Sequence, residues 1–405
     1  MNILEIKQDL YWIGVKDPDL KIFDIIVETK YGSTYNAYLL RGSDKTILVD
    51  TVKLEFLDEF VTKVEELIPF QKIDYIIVNH TEPDHAGSIQ RMVELNPNVT
   101  LVGSVTALKF LKEIVNCEFK ELAVKENDTL SLGDKTLQFM ITPNLHWPDT
   151  MMTYWVEGKV LFSCDFFGAH YCPRELKLSD LTAQERENHM EAYKHYYDCI
   201  MGPFTSFVVK GINRLRDVDY EMICNGHGPI LDQDLERFYQ AYESYTKVAK
   251  NKIPLLAIPY VSSYGYTRTL AHKIAEGAKL AGVEDVRLFD MVEEKPEDVM
   301  LVLDHADGIL FGSPTILGDA LKPIWDLATT MLPATHSGKL ASAFGSYGWT
   351  GEAVPFLIER LKSLRMKVVE GLRVKFKPSA EEELQAIEFG KVFGQLLLEK
   401  HGKES

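Results

Sequence analysis

Short apolar runs, punctuated by glycine and polar turns, dominate the first 250 or so residues. Ile25–Thr29, Asn36–Leu40 and Thr46–Asp50 read as successive strands of a meander, turned at Gly32-Ser33 and at Gly42-Ser43-Asp44. A helical pattern over about Glu55–Leu67 leads into the apolar run Ile73–Val78, which reads as a buried strand. A helix opened by Ala86-Gly87-Ser88 runs over Ile89–Leu95 and stops at Asn96-Pro97. Val99–Val102, Gln138–Thr142, Thr153–Val156 and Val160–Cys164 are further predicted strands, and long helices follow over Ala183–Cys199 and Phe204–Leu215. This order predicts two sheets faced by helices.

At about 249–254 the pattern changes to a regular alternation. Predicted strands Leu255–Tyr260, Asp285–Asp290, Gly308–Phe311, Leu340–Phe344 and Val368–Gly371 are separated by helices near Thr267–Ala281, Pro296–Leu303, Leu321–Leu332, Gly351–Ser363 and Ala380–Glu399. Five strands with crossover helices describe a doubly wound parallel sheet. The expected domains are therefore 1–250 and 251–405, with a polar end, Glu399–Ser405, that frays.

Composition narrows the class. The 405 residues are 46% apolar and 26% charged, as in ordinary globular proteins, and the formal net charge of −16 argues against nucleic acid and against an anionic membrane surface. No apolar run reaches the length of a membrane span, and the start, Met1–Ile6, lacks the pattern of a signal peptide. Cys117, Cys164, Cys172, Cys199 and Cys224 are scattered and never paired as CxxC. Reduced thiols of a cytoplasmic protein fit, and a rubredoxin module or cysteine-ligated cluster within this chain is excluded.

The stretch richest in chemistry follows the strand Ile73–Val78. In Asn79-His80-Thr81-Glu82-Pro83-Asp84-His85-Ala86-Gly87-Ser88, four potential metal ligands fall within six residues. A strand end holds its first residue rigidly, and a short loop can fan the next few side chains around one point. A polar turn with one capping Asp does not account for His, Glu, Asp and His together. Three more strand ends carry ligand types: His146 in Pro143–Asp149, Asp165 after Val160–Cys164, and His227 between Gly226 and Gly228. Loops at strand ends of an α/β sandwich converge on one edge. Mixed histidine and carboxylate ligation, with Glu82 in the second position, favours iron or manganese over zinc.

This pattern, His-x-Glu-x-Asp-His followed by His146, Asp165 and His227, resembles the metallo-β-lactamase-like domain of the flavodiiron proteins, or A-type flavoproteins. The resemblance implies that His80, Glu82 and His146 hold one iron, that Asp84, His85 and His227 hold the other, and that Asp165 bridges them. Three carboxylates and a bridging hydroxide would then balance the four positive charges of two ferrous ions, which matters in a low-dielectric pocket. His170, five residues after Asp165, is a candidate donor lining the substrate pocket. Trp147 and the group Tyr193, Tyr196 and Tyr197 read as packing.

In the second half, Ser262-Ser263-Tyr264-Gly265-Tyr266-Thr267 joins a strand to a helix. Hydroxyls, backbone N–H groups and a helix N-terminus suit a phosphate monoester, and neither the P-loop nor the Gly-x-Gly-x-x-Gly pattern is present. Two further loops, with Pro314, Thr315, Ile316, Leu317 and Gly318 in one and Ser346, Tyr347, Gly348, Trp349 and Gly351 in the other, also follow predicted parallel strands. Tyr347 and Trp349 could flank a planar ring. The set resembles flavodoxin, with FMN held by one phosphate loop and two isoalloxazine loops.

The expectation is thus an α/β chain. An N-terminal metallo-β-lactamase-like αββα sandwich precedes a flavodoxin-like doubly wound parallel sheet. It acts as an oxidoreductase that carries electrons from an external donor (rubredoxin, reduced deazaflavin or a flavoprotein reductase) through FMN to two non-heme irons. There O2 is reduced to water, NO to N2O, or both. Two rivals come from other classes. One is a binuclear zinc hydrolase fused to a flavodoxin-like module, opposed by Glu82 and the three flavin loops. The other is an electron carrier with a vestigial metal domain, opposed by the intact ligand set. Compact domains joined by a short linker would leave the two cofactors tens of ångströms apart. A head-to-tail homodimer, or a dimer of dimers, would bring the flavin of one chain to the irons of another.

Overall fold

In the computed structural model, residues 3–24, 27–247 and 251–404 are described. The chain divides into two compact units, Met1–Val248 and Ala249–Ser405.

The first unit contains two sheets. One has the spatial order Leu4–Lys7, Leu10–Trp12, Tyr38–Arg41, Thr46–Val49, Tyr75–Val78, Thr100–Ser104, Lys120–Val124. The other runs Thr129–Ser131, Thr136–Ile141, Met151–Trp155, Val160–Cys164, Met222–Asn225. Side-chain alternation sorts each strand between two cores. In Tyr75–Val78, Ile77 joins a cluster shared by the two sheets, with Val49, Val102, Phe139, Met151 and Phe162. Ile76 and Val78 face the other way and meet the helices Leu57–Leu67, Ile89–Leu95 and Val105–Val115. The outer face of the second sheet packs on Ala183–Tyr196, Thr205–Leu215 and Leu235–Tyr245. The layers are helices, sheet, sheet, helices.

Several local expectations need correction. Val27–Glu28 pairs with Ile22–Phe23 in a separate ribbon instead of joining a meander; Ile25 and Ile26 lie outside the described residues. Ser33, expected in a turn, starts the strand Ser33–Tyr35, which pairs with Val15–Asp17. Pro83–Ala86 is already a helical turn, with Pro83 at its start where a missing N–H costs nothing, so Asp84 and His85 project from a helix instead of a loop. The helix from Ala183 is α-helical only to Tyr196 and continues as a π-helical turn over Tyr197–Met201.

The second unit is a parallel sheet in the order Asp285–Asp290, Leu255–Tyr260, Gly308–Gly312, Leu340–Tyr347. The expected strand Val368–Gly371 is two short strands, Lys367–Val368 and Leu372–Lys375, both parallel to Leu340–Tyr347. Gly371 lies in the break, where a Cβ would stand 2.7 Å from the Ala343 carbonyl oxygen. The last helix, Ala380–Glu404, runs through the segment expected to fray. It packs against Tyr266–Leu280 at backbone contact: a Cβ on Gly277 would collide with the Ile387 carbonyl, and one on Gly390 with that of Ile274.

Candidate functional site

Strand pairing decides which loops meet. Val160–Cys164 and Met222–Asn225 are parallel neighbours, with Cys164 opposite Asn225, so Asp165 and Gly226-His227 leave the sheet at the same edge. In the other sheet, Thr46–Val49 runs parallel to Tyr75–Val78, which sets Asp50 beside Asn79. Asn79 donates to both Asp50 oxygens, from its N–H at 2.8 Å and its Nδ2 at 3.0 Å, and accepts from the Thr153 hydroxyl at 2.7 Å. The Asn79 carbonyl also accepts the Met151 N–H at 2.8 Å. These bonds tie the two sheets at the start of the His80 motif and draw the His146 loop toward it.

All seven expected metal residues come together. Potential ligand atoms of His80, Glu82, His146 and Asp165 lie within 4.8 Å of one another, as do those of Asp84, His85 and His227. Glu82 Oε2 is 3.1 Å from His80 Nε2 and 3.0 Å from His146 Nε2. Asp84 Oδ2 is 3.1 Å from His227 Nε2 and 3.4 Å from His85 Nε2. Asp165 stands between the groups. Its Oδ2 faces His146 at 3.3 Å and His80 at 3.5 Å, while its Oδ1 faces His85 at 2.9 Å and His227 at 3.3 Å.

The donor set fits two cations. Neither oxygen of buried Asp84 has a hydrogen bond. His227 Nδ1 donates to the Thr34 carbonyl at 2.6 Å, which fixes the tautomer and leaves Nε2 to turn inward. Gly226 makes room: a Cβ there would stand 2.7 Å from His85 Cε1 and 3.2 Å from Asp165 Oδ1. Cys164 is also within reach of His85 and Asp165, but burial, with Asp50 and Asp165 adding to it, holds its thiol well above its ordinary value and protonated.

Charge follows the same geometry. Burial pushes His80 down, but Asp149, Glu82 and Asp165 outweigh it and carry it up to about 10. His227 reaches about 10 against burial through Asp165 and Asp84. His85, opposed by burial, rises to about 9 through Asp84 and Asp165, and His146 to about 9 through Asp165 and Glu82. Burial alone would raise Glu82; the His146 and His80 rings hold it well below the usual carboxylate range. Each histidine of the cluster is thus set against carboxylates that favour its charged form, so a cation bound there would compete with protons for the same ring nitrogens.

His170 lies beside this cluster, buried, with its ring 5.1 Å from that of His227. The Ser33 hydroxyl is 3.1 Å from its Nδ1, and its Nε2 has no partner. Burial, and next the charge on His227, push it well below its ordinary value, so the ring is neutral. Tyr196 meets His170 edge-on at 4.9 Å, so it borders the site, whereas Tyr193 stacks on Tyr242 in the helical core. Trp147 packs edge-on against His80 at 5.1 Å.

Some participants were not legible in the sequence. Asp149 sits behind His80, Ser33 and Thr34 hold His170 and His227, and Asp24 reaches Glu82. Burial, reinforced by its contact with Glu82, raises Asp24 to about 6. Asp149 could have been suspected from its place in the His146 loop; Asp24, Ser33 and Thr34 are far from any ligand in the chain.

The flavin-loop candidates gather at the carboxyl ends of the second sheet. Gly265, at φ +84°, caps the helix Tyr266–Leu280, and the Ser262 hydroxyl accepts the Arg268 N–H at 3.2 Å. The Thr267 and Ser346 hydroxyls are 3.0 Å apart, joining the first loop to the third. The Thr315 N–H donates to the Ser346 carbonyl at 2.9 Å, joining the second to the third. Tyr347 is half-buried at its strand end, with Gly351 against its ring. Tyr264, Leu317 and Trp349 are 82%, 99% and 92% exposed, far more than large apolar side chains usually are.

Comparison with known proteins gives the family. The model of the ODP family beta lactamases matches residues 34–228, and that of flavodoxin residues 258–390. The flavo-diiron protein FprA2 of Clostridium acetobutylicum is 40% identical over 401 residues, covering 98% of this chain and 100% of that protein. The chain belongs to the flavodiiron proteins. The type A flavoprotein fprA of Rhodobacter capsulatus is 38% identical over 96% of this chain and 89% of its own length. Among solved structures, the rubredoxin oxygen:oxidoreductase of Desulfovibrio gigas superimposes with a TM-score of 0.70, at 28% identity over 98% of this chain and 99% of that one. The layered first unit and the parallel second unit are thus the metallo-β-lactamase-like and flavodoxin-like halves of a flavodiiron protein.

Proposed function

We propose that this flavodiiron protein reduces O2 to water, NO to N2O, or both, with electrons from an external donor. Family membership makes the chain an oxidoreductase with FMN and a di-iron centre. Bound there, the flavin and the irons would supply the electron relay and the redox chemistry. His80, Glu82 and His146 would hold one ion, and Asp84, His85 and His227 the other. The observation that carries the assignment is Asp165, whose two oxygens face the two histidine groups separately. A single carboxylate so placed can touch two ions at once.

The other residues shape the pocket. Thr34 orients His227; Trp147 and Phe204 shield His80 and His146 from water. Neutral His170 keeps an unpaired Nε2 for hydrogen bonding to a small ligand beside His227. In the second unit, Ser262, Ser263 and Thr267 would take the FMN phosphate at the helix N-terminus, and the loops with Pro314–Gly318 and Ser346–Gly351 would take the ring.

Rubredoxin as donor is supported by the name of the Desulfovibrio relative; a reduced deazaflavin or a flavoprotein reductase are the alternatives. A homodimer packed head to tail, in which each flavin serves the irons of the other chain, is the arrangement that cofactors held in two separate compact units call for. The test is metal and flavin analysis of anaerobically prepared protein, followed by stopped-flow mixing of the reduced protein with O2 and with NO. Two irons, one FMN and fast reoxidation by at least one gas are expected; active protein with two zincs and no flavin absorbance would overturn the reading.

A further inference from the structure

Asp149 is fully buried behind His80. Its Oδ2 accepts the Thr81 N–H at 2.8 Å and the Thr81 hydroxyl at 2.8 Å, and stands 3.5 Å from His80 Nδ1. Its Oδ1 has no partner, and its carbonyl accepts the Ser104 hydroxyl at 2.8 Å. The carboxylate is therefore held in place by groups that are not ligands, aimed at the outer nitrogen of a ligand ring. At 3.5 Å the contact is longer than a hydrogen bond, and in a buried site it is strongly electrostatic.

The outer nitrogens of His227 and His85 lack such a carboxylate. His227 Nδ1 has a neutral backbone carbonyl; His80 Nδ1 and His85 Nδ1 are both buried without a hydrogen bond, and of the two only His80 has a carboxylate paired with that nitrogen, Asp149 Oδ2 at 3.5 Å. Asp50, the nearby buried acid, gives both of its oxygens to Asn79. The two halves of the site thus differ behind the ligands even though each offers two histidines and a carboxylate.

We propose that Asp149 is a positioning residue that fixes the Nδ1–H tautomer of His80, strengthens Nε2 as a donor, and makes the His80, Glu82 and His146 half the tighter cation site of the two. A carboxylate behind a ligating imidazole raises its basicity, and loss of such a partner weakens metal binding by roughly 10- to 100-fold. The inference rests on the two-ion reading above. It adds that the ions are bound unequally and names the residue responsible.

The experiment is a Co(II) titration of metal-free, FMN-loaded protein against a chelator, following ligand-field absorbance, with flavin content and unfolding midpoint as controls for folding. Wild type should show two sites of different affinity. Asp149→Asn keeps an oxygen for Thr81 but removes the charge. It should weaken the tighter site by roughly 10- to 100-fold and leave the other unchanged. Thr81→Val removes one competing donor, frees Asp149 Oδ2 for His80, and should tighten the same site. This opposite sign is not what a merely structural role would produce. Wild-type binding in D149N, equal weakening of both sites, or no tightening in T81V would overturn the proposal. A wild-type protein that takes up fewer than two ions would instead overturn the functional reading, and this inference with it.

Discussion

At the scale of single residues, the site is built by removing atoms as well as by placing them. Gly226 passes His85 and Asp165 so closely that Gly226→Ala must push the His85 ring aside. The expected result is a loss of about 1–3 kcal/mol of stability and of metal from the His85 side, with flavin retained. Chemical denaturation and metal analysis check it. The histidines give a second prediction. Their folded pKa values, about 9 to 10, lie above the ordinary 6.5. In the metal-free protein their contribution to stability is therefore complete below pH 6.5 and is lost as pH rises through 9 to 10. Metal binding needs the rings neutral, so it has the opposite sign: affinity climbs with pH over that window, and ions expel protons at neutral pH. Calorimetric titration in two buffers of different ionisation enthalpy measures those protons; none released at pH 7 would contradict the assignment.

At the scale of elements, the sequence carried the strands well where burial was continuous, as in Val160–Cys164 and Leu255–Tyr260. It failed where pairing is set by distant partners. Val27–Glu28 and Ser33–Tyr35 belong to small ribbons that no local periodicity announces. The helix Val105–Val115 has no counterpart among the expected elements, although Ser104 caps it through the Ala107 N–H. The seven residues of the histidine and carboxylate cluster were legible because each sits at a strand end or in one dense motif. Asp24 and Thr34 were not, because only tertiary packing brings them to Glu82 and His227. The flavin loops show the same coupling. Thr267→Val would leave the buried Ser346 hydroxyl without its partner, at a cost of about 1–3 kcal/mol. Weaker FMN retention with unchanged metal content is expected, measured by flavin fluorescence; unchanged retention would mean that the loops do not rely on this contact.

At the scale of the molecule, each unit has its own core, so each should answer to its own ligand. Calorimetry should resolve two transitions: a chelator lowers one, and FMN at a hundredfold excess over its Kd raises the other by about 2.7 kcal/mol. A single transition moved equally by both would count against independent units. The proposed dimer makes a different demand. Dimers mixed from a flavin-loop variant and His80→Ala should regain about half the activity of one wild-type dimer, because one composite site is whole. No recovery in verified mixed dimers, or full activity in a monomer by sedimentation, would rule it out. The glycine contact between Tyr266–Leu280 and Ala380–Glu404 reaches further, into synthesis. The helix that follows the Ser262–Thr267 loop is clamped by a helix that begins about 100 residues later in the chain. Translation therefore sets an order: the first unit can fold while the chain is still growing, and flavin capture waits until Ala380–Glu404 has emerged. Ribosome-bound chains stalled before Ala380 should accept iron and refuse FMN.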